Sequence, residues 1–140
     1  MKLRIKSSDI RKIEGHALES FPNECVGLMI GKTQKNVFET IEVVRAKNTL
    51  NSPVAFEADP QFVYDVYKDA EKRGLQLIGI YHSHPNLRAY VSARDAEFMK
   101  FWGRLVWLIL GVGRDEIVER KAFMMKDGKV YEVEVEIVGS

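Results

Sequence analysis

The sequence predicts an α/β fold in which a mixed, curved β-sheet is flanked by helices, carried by a single domain spanning residues 1–140. Three observations lead there. Segments with helical apolar spacing alternate with short β-branched or apolar runs. The stretch Leu75 to Tyr81 is apolar enough to be a buried strand, and the chain ends on two β-rich stretches joined by Asp127-Gly128, a pair suited to a tight hairpin turn. A chain of this length buries roughly 68–70% of its unfolded surface, which is enough for a core.

Leu3 to Lys6 reads as a short strand. Ser8 then caps a helix whose apolar positions are Ile10, Ile13, Ala17, Leu18 and Phe21, and Pro22 ends it. Val26 to Ile30 is an apolar strand, Lys32 to Asn36 a polar turn, and Val37 to Ala46 a β-branched strand. After a loop from Thr49 to Pro53, Val54 to Ala58 is read as a further strand. Asp59-Pro60 supplies an N-cap and a favoured first residue for a second helix, whose buried face is Phe62, Val63, Val66, Tyr67 and Ala70 and whose end is Gly74. The strand from Leu75 leads into a loop from Pro85 to Val91 and a third helix from Ser92 to Trp102. Phe101 and Trp102 are expected in the core. Leu105 to Leu110 reads as a central strand, followed by the hairpin of Ile117 to Met125 and Lys129 to Val138. In its last strand Tyr131, Val133, Val135 and Ile137 alternate with Glu132, Glu134 and Glu136, which predicts one buried and one wet face.

Composition narrows the function. A net charge of +1 with acids and bases interleaved, as in Glu71-Lys-Arg73, argues against a nucleic-acid surface. No apolar run approaches the roughly 20 residues that span a bilayer, and the N-terminus lacks the apolar stretch of a signal peptide, so no membrane partner and a cytoplasmic location are expected. The lone Cys25 excludes an internal disulfide and suits a reducing compartment; it is read as packing at the start of its strand. His16, within the first helix, reads as structural or surface rather than catalytic. Composition leaves the oligomeric state open.

Two of the three histidines, His82 and His84, are two residues apart at the end of a predicted strand, so both imidazoles leave the same face and can share one ion. Asp95 follows three residues after Ser92, at the head of a predicted helix, and offers a third ligand. Two His and one carboxylate leave a position open, as in catalytic rather than structural zinc sites. Ser-x-x-Asp also has the form of a helix cap, and the two roles are compatible.

Here the sequence resembles the JAMM (MPN-plus) metalloproteases, with their His-x-His, seven residues, Ser, two residues, Asp motif and a Glu far upstream. Phe21-Pro-Asn-Glu-Cys-Val-Gly-Leu-Met-Ile-Gly31 is similar to the family's Glu-bearing segment. The resemblance covers nearly the whole chain. It implies a JAMM/MPN fold of cytidine-deaminase-like type, Zn²⁺ held by His82, His84 and Asp95, Glu24 as general acid/base and Ser92 as oxyanion donor. Val91 and Ile80 depart from residues common in the family, and neither is a ligand position. The implied activity is isopeptidase cleavage after the C-terminal Gly-Gly of a ubiquitin-like or sulfur-carrier protein, freeing it from a lysine. The tail would add as a strand, with Asn48 to Glu57 as the expected edge. Two alternatives share the residues: a peptidase trimming the C-terminus of a sulfur carrier, and a non-catalytic scaffold. A zinc nucleobase deaminase is disfavoured because Pro-Cys-x-x-Cys is absent.

Overall fold

In the computed structural model, which describes residues 1–139, the elements follow in the order β1 (Lys2–Lys6), α1 (Ser7–Ser20), β2 (Val26–Gln34), β3 (Val37–Ala46), α2 (Pro60–Lys72), β4 (Gln76–Pro85), α3 (Ala93–Trp102), β5 (Val106–Val112), β6 (Ile117–Lys126) and β7 (Lys129–Val138). The mixed α/β character is as expected. The sheet, however, is closed: strands pair in the order β1, β3, β2, β4, β5, β6, β7, and β7 returns to β1. The seam is a parallel pairing of Lys2 to Lys6 with Glu134 to Val138. Across it Lys2 Nζ and Arg4 Nε donate to Glu136 at 2.9 and 2.6 Å. A contact between the first and last strands leaves no local pattern in a sequence, which is why a mixed, curved sheet rather than a closed barrel was expected.

Two apolar layers line the sheet. On one side α1 packs Ile10, Ile13 and Ala17 against Leu3, Ile5, Met29, Leu108 and Leu110. On the other, Val63 of α2 and Met99 of α3 pack with Val26, Leu28, Phe56, Ile80 and Trp107. Strand β4 lies between β2, antiparallel to it, and β5, parallel to it, and α3 makes the crossover that the parallel pair requires. A register shift against β2 leaves Ile78 without a partner. Such a bulge re-aims the side chains that follow. Tyr81 therefore joins the α1 side, while Ile80 and His82 face the α2 and α3 side.

Local signals behave as their chemistry requires. Asp59 accepts the Gln61 N–H at 3.2 Å with Pro60 opening α2, and Gly74 closes it at φ 73°. Asp127 and Gly128 both take positive φ, as a two-residue hairpin turn demands. Other expectations are corrected. Helix α1 starts at Ser7 directly after β1, with Lys6 at the N-cap and no side-chain bond, so Ser8 is not the cap. Residues 54–58 form no strand, because their backbone groups bond to the side chain of Asn48 instead. Tyr67 points outward, and Phe101 and Trp102, in the last turn of α3, are 86% and 43% exposed rather than core. In β7 only Val133 is buried and Val135 partly so. Tyr131 precedes the stretch paired with β1, and Ile137 faces an open groove beside Glu14 and Ile117. No helix among the described residues is long and apolar enough to cross a membrane.

One contact ties α1 to the strand that carries the histidines. His16, buried on α1, lies with Nδ1 2.6 Å from the Tyr81 hydroxyl. Burial, with Arg45 adding to it, pushes His16 down to about 4, and burial likewise raises Tyr81, so the phenol donates to a neutral ring. The Tyr81 ring reaches His16 only because residue 27 is Gly: a Cβ there would stand 2.2 Å from the ring. The unfolded chain takes up the His16 proton near pH 6.5 and the folded chain only near 4, so acidification across that window lowers stability. Urea unfolding is predicted to show this loss below pH 6.5. At pH 7, Tyr81→Phe should cost about 1–2 kcal/mol by orphaning a buried ring nitrogen, and Gly27→Ala should cost at least as much by displacing the ring. Unchanged midpoints in both variants would show that this contact does not brace β4.

Candidate metal centre

Four buried ionisable side chains converge at the C-terminal end of β4. His82 and His84 sit within the strand itself, which runs on to Pro85 rather than ending at Tyr81. Alternation puts both on one face. Asp95 comes from the first turn of α3, which a reciprocal capping box orients: Ser92 Oγ accepts the Asp95 N–H at 3.0 Å, and Asp95 Oδ2 accepts the Ser92 N–H at 3.1 Å. Glu24 arrives from the segment between α1 and β2. All four are nearly inaccessible: His82 0%, Asp95 2%, His84 4% and Glu24 5% exposed.

The distances describe a compact cluster. Asp95 Oδ1 lies 3.0 Å from His82 Nε2, and Oδ2 lies 3.2 Å from His84 Nε2. One ligand atom from each of the three residues falls within 4.8 Å of the others. Glu24 Oε1 stands apart, 3.6 Å from His82 Nδ1. These separations suit a shared ion, since ligand atoms around a tetrahedral zinc at about 2.0–2.1 Å stand roughly 3.3 Å from one another. His82 points the same way: both its nitrogens are fully buried, yet neither makes a hydrogen bond, the one beside Asp95 included, whereas His84 Nε2 bonds to Asp95 Oδ2 at 3.2 Å. At His82 the proximity is close enough for a bond and the direction is wrong for one, which a common ligand between the groups would resolve.

Electrostatics also call for a cation. Burial pulls the His82 pKa down, but Asp95 and then Glu24 outweigh it and lift it to about 9. Burial works to raise Asp95, while the two imidazoles and the Ser92 N–H hold its carboxyl far below the usual range. Two carboxylates beside nearly buried imidazoles stabilise positive charge there, whether carried by a proton or by a metal. The donor set of two imidazoles and a carboxylate suits zinc.

Aromatic rings and backbone contacts frame the cluster. Phe56 stacks on His82 at 4.7 Å between centroids, Trp107 meets its edge at 5.9 Å, and Tyr90 covers His84 at 4.7 Å. Ser83, between the two histidines, points to the opposite face, where its Oγ accepts the Cys25 N–H at 2.8 Å and locks the Glu24 segment to β4. Cys25 is core, as expected, and burial raises its thiol to about 11. Each of the five residues singled out in the sequence therefore lies in this region. Phe56, Tyr90 and Asn48 also belong to this region, beyond the residues the sequence singles out. Asn48 had a signal, as a polar residue opening a loop, and the two aromatics had none that separates them from core.

Comparisons with known proteins agree with this geometry. Residues 6–126 match the family described as prokaryotic homologs of the JAB domain. A desampylase of Pyrococcus furiosus is 34% identical over 80% of this chain and 74% of its own length. A probable TtuB-protein conjugate cleaving protease of Thermus thermophilus is 32% identical over 86% of this chain and 74% of its own. The solution structure of a Desulfitobacterium hafniense protein superposes with a TM-score of 0.86 at 28% identity, covering 99% of this chain and 94% of that one. A Salinibacter ruber protein shares the fold, with a TM-score of 0.71 at 19% identity over 96% and 91% of the two chains. Sequence match, fold and the placement of two histidines and an aspartate lead to one conclusion: the chain belongs to the prokaryotic homologs of the JAB domain, of the minimal JAMM/MPN type.

Proposed function

We propose that residues 1–140 form one catalytic domain, a zinc-dependent isopeptidase that releases ubiquitin-like modifier proteins from lysines by hydrolysis after a C-terminal Gly-Gly. The observation that carries the reading is the buried His82, His84 and Asp95 cluster, with His82 unpartnered at both nitrogens and a fourth ionisable group, Glu24, standing just outside it. The names of the desampylase and of the conjugate cleaving protease support the substrate class.

In this reading His82, His84 and Asp95 hold the ion. A bound zinc supplies Lewis acidity toward an amide carbonyl and lowers the pKa of a water to about 7. Glu24 accepts the proton of the attacking water and returns it to the leaving lysine amine. Its carboxylate suits that work because no donor of the described residues hydrogen-bonds to it. The Ser92 oxygen already accepts the Asp95 N–H, so the hydroxyl rotates with its proton free for the developing oxyanion. The capping box thus holds Ser92 and Asp95 as one unit.

The expected edge at Asn48 to Glu57 is a loop, and the barrel closes the sheet, so a tail finds no long strand there. What constrains it is depth. The ligands are buried, and Phe56 and Tyr90 flank the imidazoles, so a scissile bond must arrive on residues with little side chain. This favours a Gly-Gly terminus, with selectivity on the modifier rather than on the target lysine.

Metal analysis of protein purified without added metal is expected to give about one zinc per chain, lost in His82→Ala or His84→Ala; full zinc in both variants would sink the ligand assignment. Glu24→Gln should keep zinc and fold while lowering turnover of a ubiquitin-like conjugate by about 10²–10⁴-fold, and near wild-type turnover would place the proton acceptor elsewhere. Replacing the penultimate Gly of the modifier with Val should cut kcat/KM sharply, whereas changes flanking the target lysine should alter it little. The reverse ranking contradicts the proposed selectivity. A peptide-extended modifier cleaved faster than the lysine conjugate would identify a processing peptidase instead.

A further inference from the structure

We infer that Asn48 is a positioning residue for this reaction: it holds the backbone of Glu24, and through it the carboxylate, against the His82, His84 and Asp95 cluster. The inference rests on the reading of Glu24 as the proton acceptor.

Because nothing among the described residues hydrogen-bonds to the Glu24 carboxylate, its place is inherited from the main chain. That main chain is gripped from two sides. On one side β4 binds the next residue, through Cys25 N–H to Ser83 Oγ at 2.8 Å and Ser83 N–H to the Cys25 carbonyl at 3.3 Å. On the other side the loop between β3 and α2 binds Glu24 itself. The Glu24 N–H donates to the Ser52 carbonyl at 2.8 Å, and its carbonyl accepts from Asn48 Nδ2 at 3.0 Å.

Asn48 also makes that loop a defined object. It is 8% exposed, and its amide uses its full capacity: Nδ2 donates a second bond to the Ala55 carbonyl at 3.0 Å, and Oδ1 accepts from Leu50 N–H and Glu57 N–H at 3.1 Å each. Two donors and two acceptors on one short planar group are what Asn provides, whereas Asp lacks the donors. The same loop presents Phe56 to the His82 ring. All four bonds end on residue 24 or on residues 50–57. None ends on β4 or α3, which carry the three proposed ligands. Removing the amide therefore loosens the loop and Glu24 without breaking any hydrogen bond to the strand and helix that carry the ligands. Displacing a reacting group by about 1 Å costs on the order of 100-fold in rate.

The test is a double-mutant cycle of Asn48→Ala with Glu24→Gln, each variant measured for zinc content, kcat and KM on a ubiquitin-like conjugate, and backbone amide exchange. Asn48→Ala is expected to keep one zinc and to lower kcat on the order of 100-fold with KM within a few-fold. Exchange protection should fall at Glu24, Leu50 and Glu57 and hold across β4. In the Glu24→Gln background the same change should cost almost nothing further, because it acts through the carboxylate already removed. Should Asn48→Ala not fold, Asn48→Asp, which keeps the shape and sets a carboxylate against two carbonyls, carries the same comparison. Loss of zinc in step with activity, or losses that multiply in the double variant, overturns the inference. Turnover surviving Glu24→Gln alone overturns the reading of Glu24 beneath it, and an active Asn48 variant beside an inactive Glu24→Gln overturns this step only.

Discussion

The carboxylate of Asp95 belongs to a helix and to the candidate site together. Its Oδ2 closes the cap of α3 on the Ser92 N–H while lying 3.2 Å from His84, and its Oδ1 lies 3.0 Å from His82. The start of α3 is thereby set against the end of β4. That arrangement follows from the parallel pairing of β4 with β5, which obliges the chain to cross over through α3 and return. The order of strands, the cap and the cluster are thus one constraint seen at three scales. The first turn of α3 also suits an acid, since helix N-termini favour negative charge.

Placing two imidazoles and two carboxylates where little water reaches them is costly unless a cation joins them, and contacts from several segments fix that placement. Ser83 turns away from its histidine neighbours to secure the Glu24 segment, Phe56 and Tyr90 cover the rings, and Trp107 closes the floor. Relatives of the family span conjugate cleaving and desampylating proteins. The proposed division of labour, with ligands on β4 and α3 and the proton acceptor on an independent segment, lets the metal and the base be set separately.

The sequence was informative where the chemistry is local. Helix α2 with its Asp59-Pro60 start, the Asp127-Gly128 hairpin, and the His82, His84, Ser92 and Asp95 spacing all follow from neighbouring residues, and the structure places them as expected. It was silent where partners are distant. Closure of the barrel pairs Lys2–Lys6 with Glu134–Val138, strands from opposite ends of the described chain. Residues 54–58 have strand-like composition, but a single buried amide at Asn48 competes for their backbone and wins. Phe101 and Trp102 end α3 after its packing surface has run out, so apolar character alone misplaced them.

The central claim is that the cluster is a metal site with nitrogen and oxygen ligands, although a buried cysteine adjoins Glu24. Zinc K-edge X-ray absorption on the protein purified without added metal addresses it directly. The expected result is an imidazole-bearing shell of nitrogen and oxygen at about 2.0–2.2 Å with no sulfur. A sulfur shell at about 2.3 Å, which would enlist Cys25, or a shell without imidazole scattering, would contradict it.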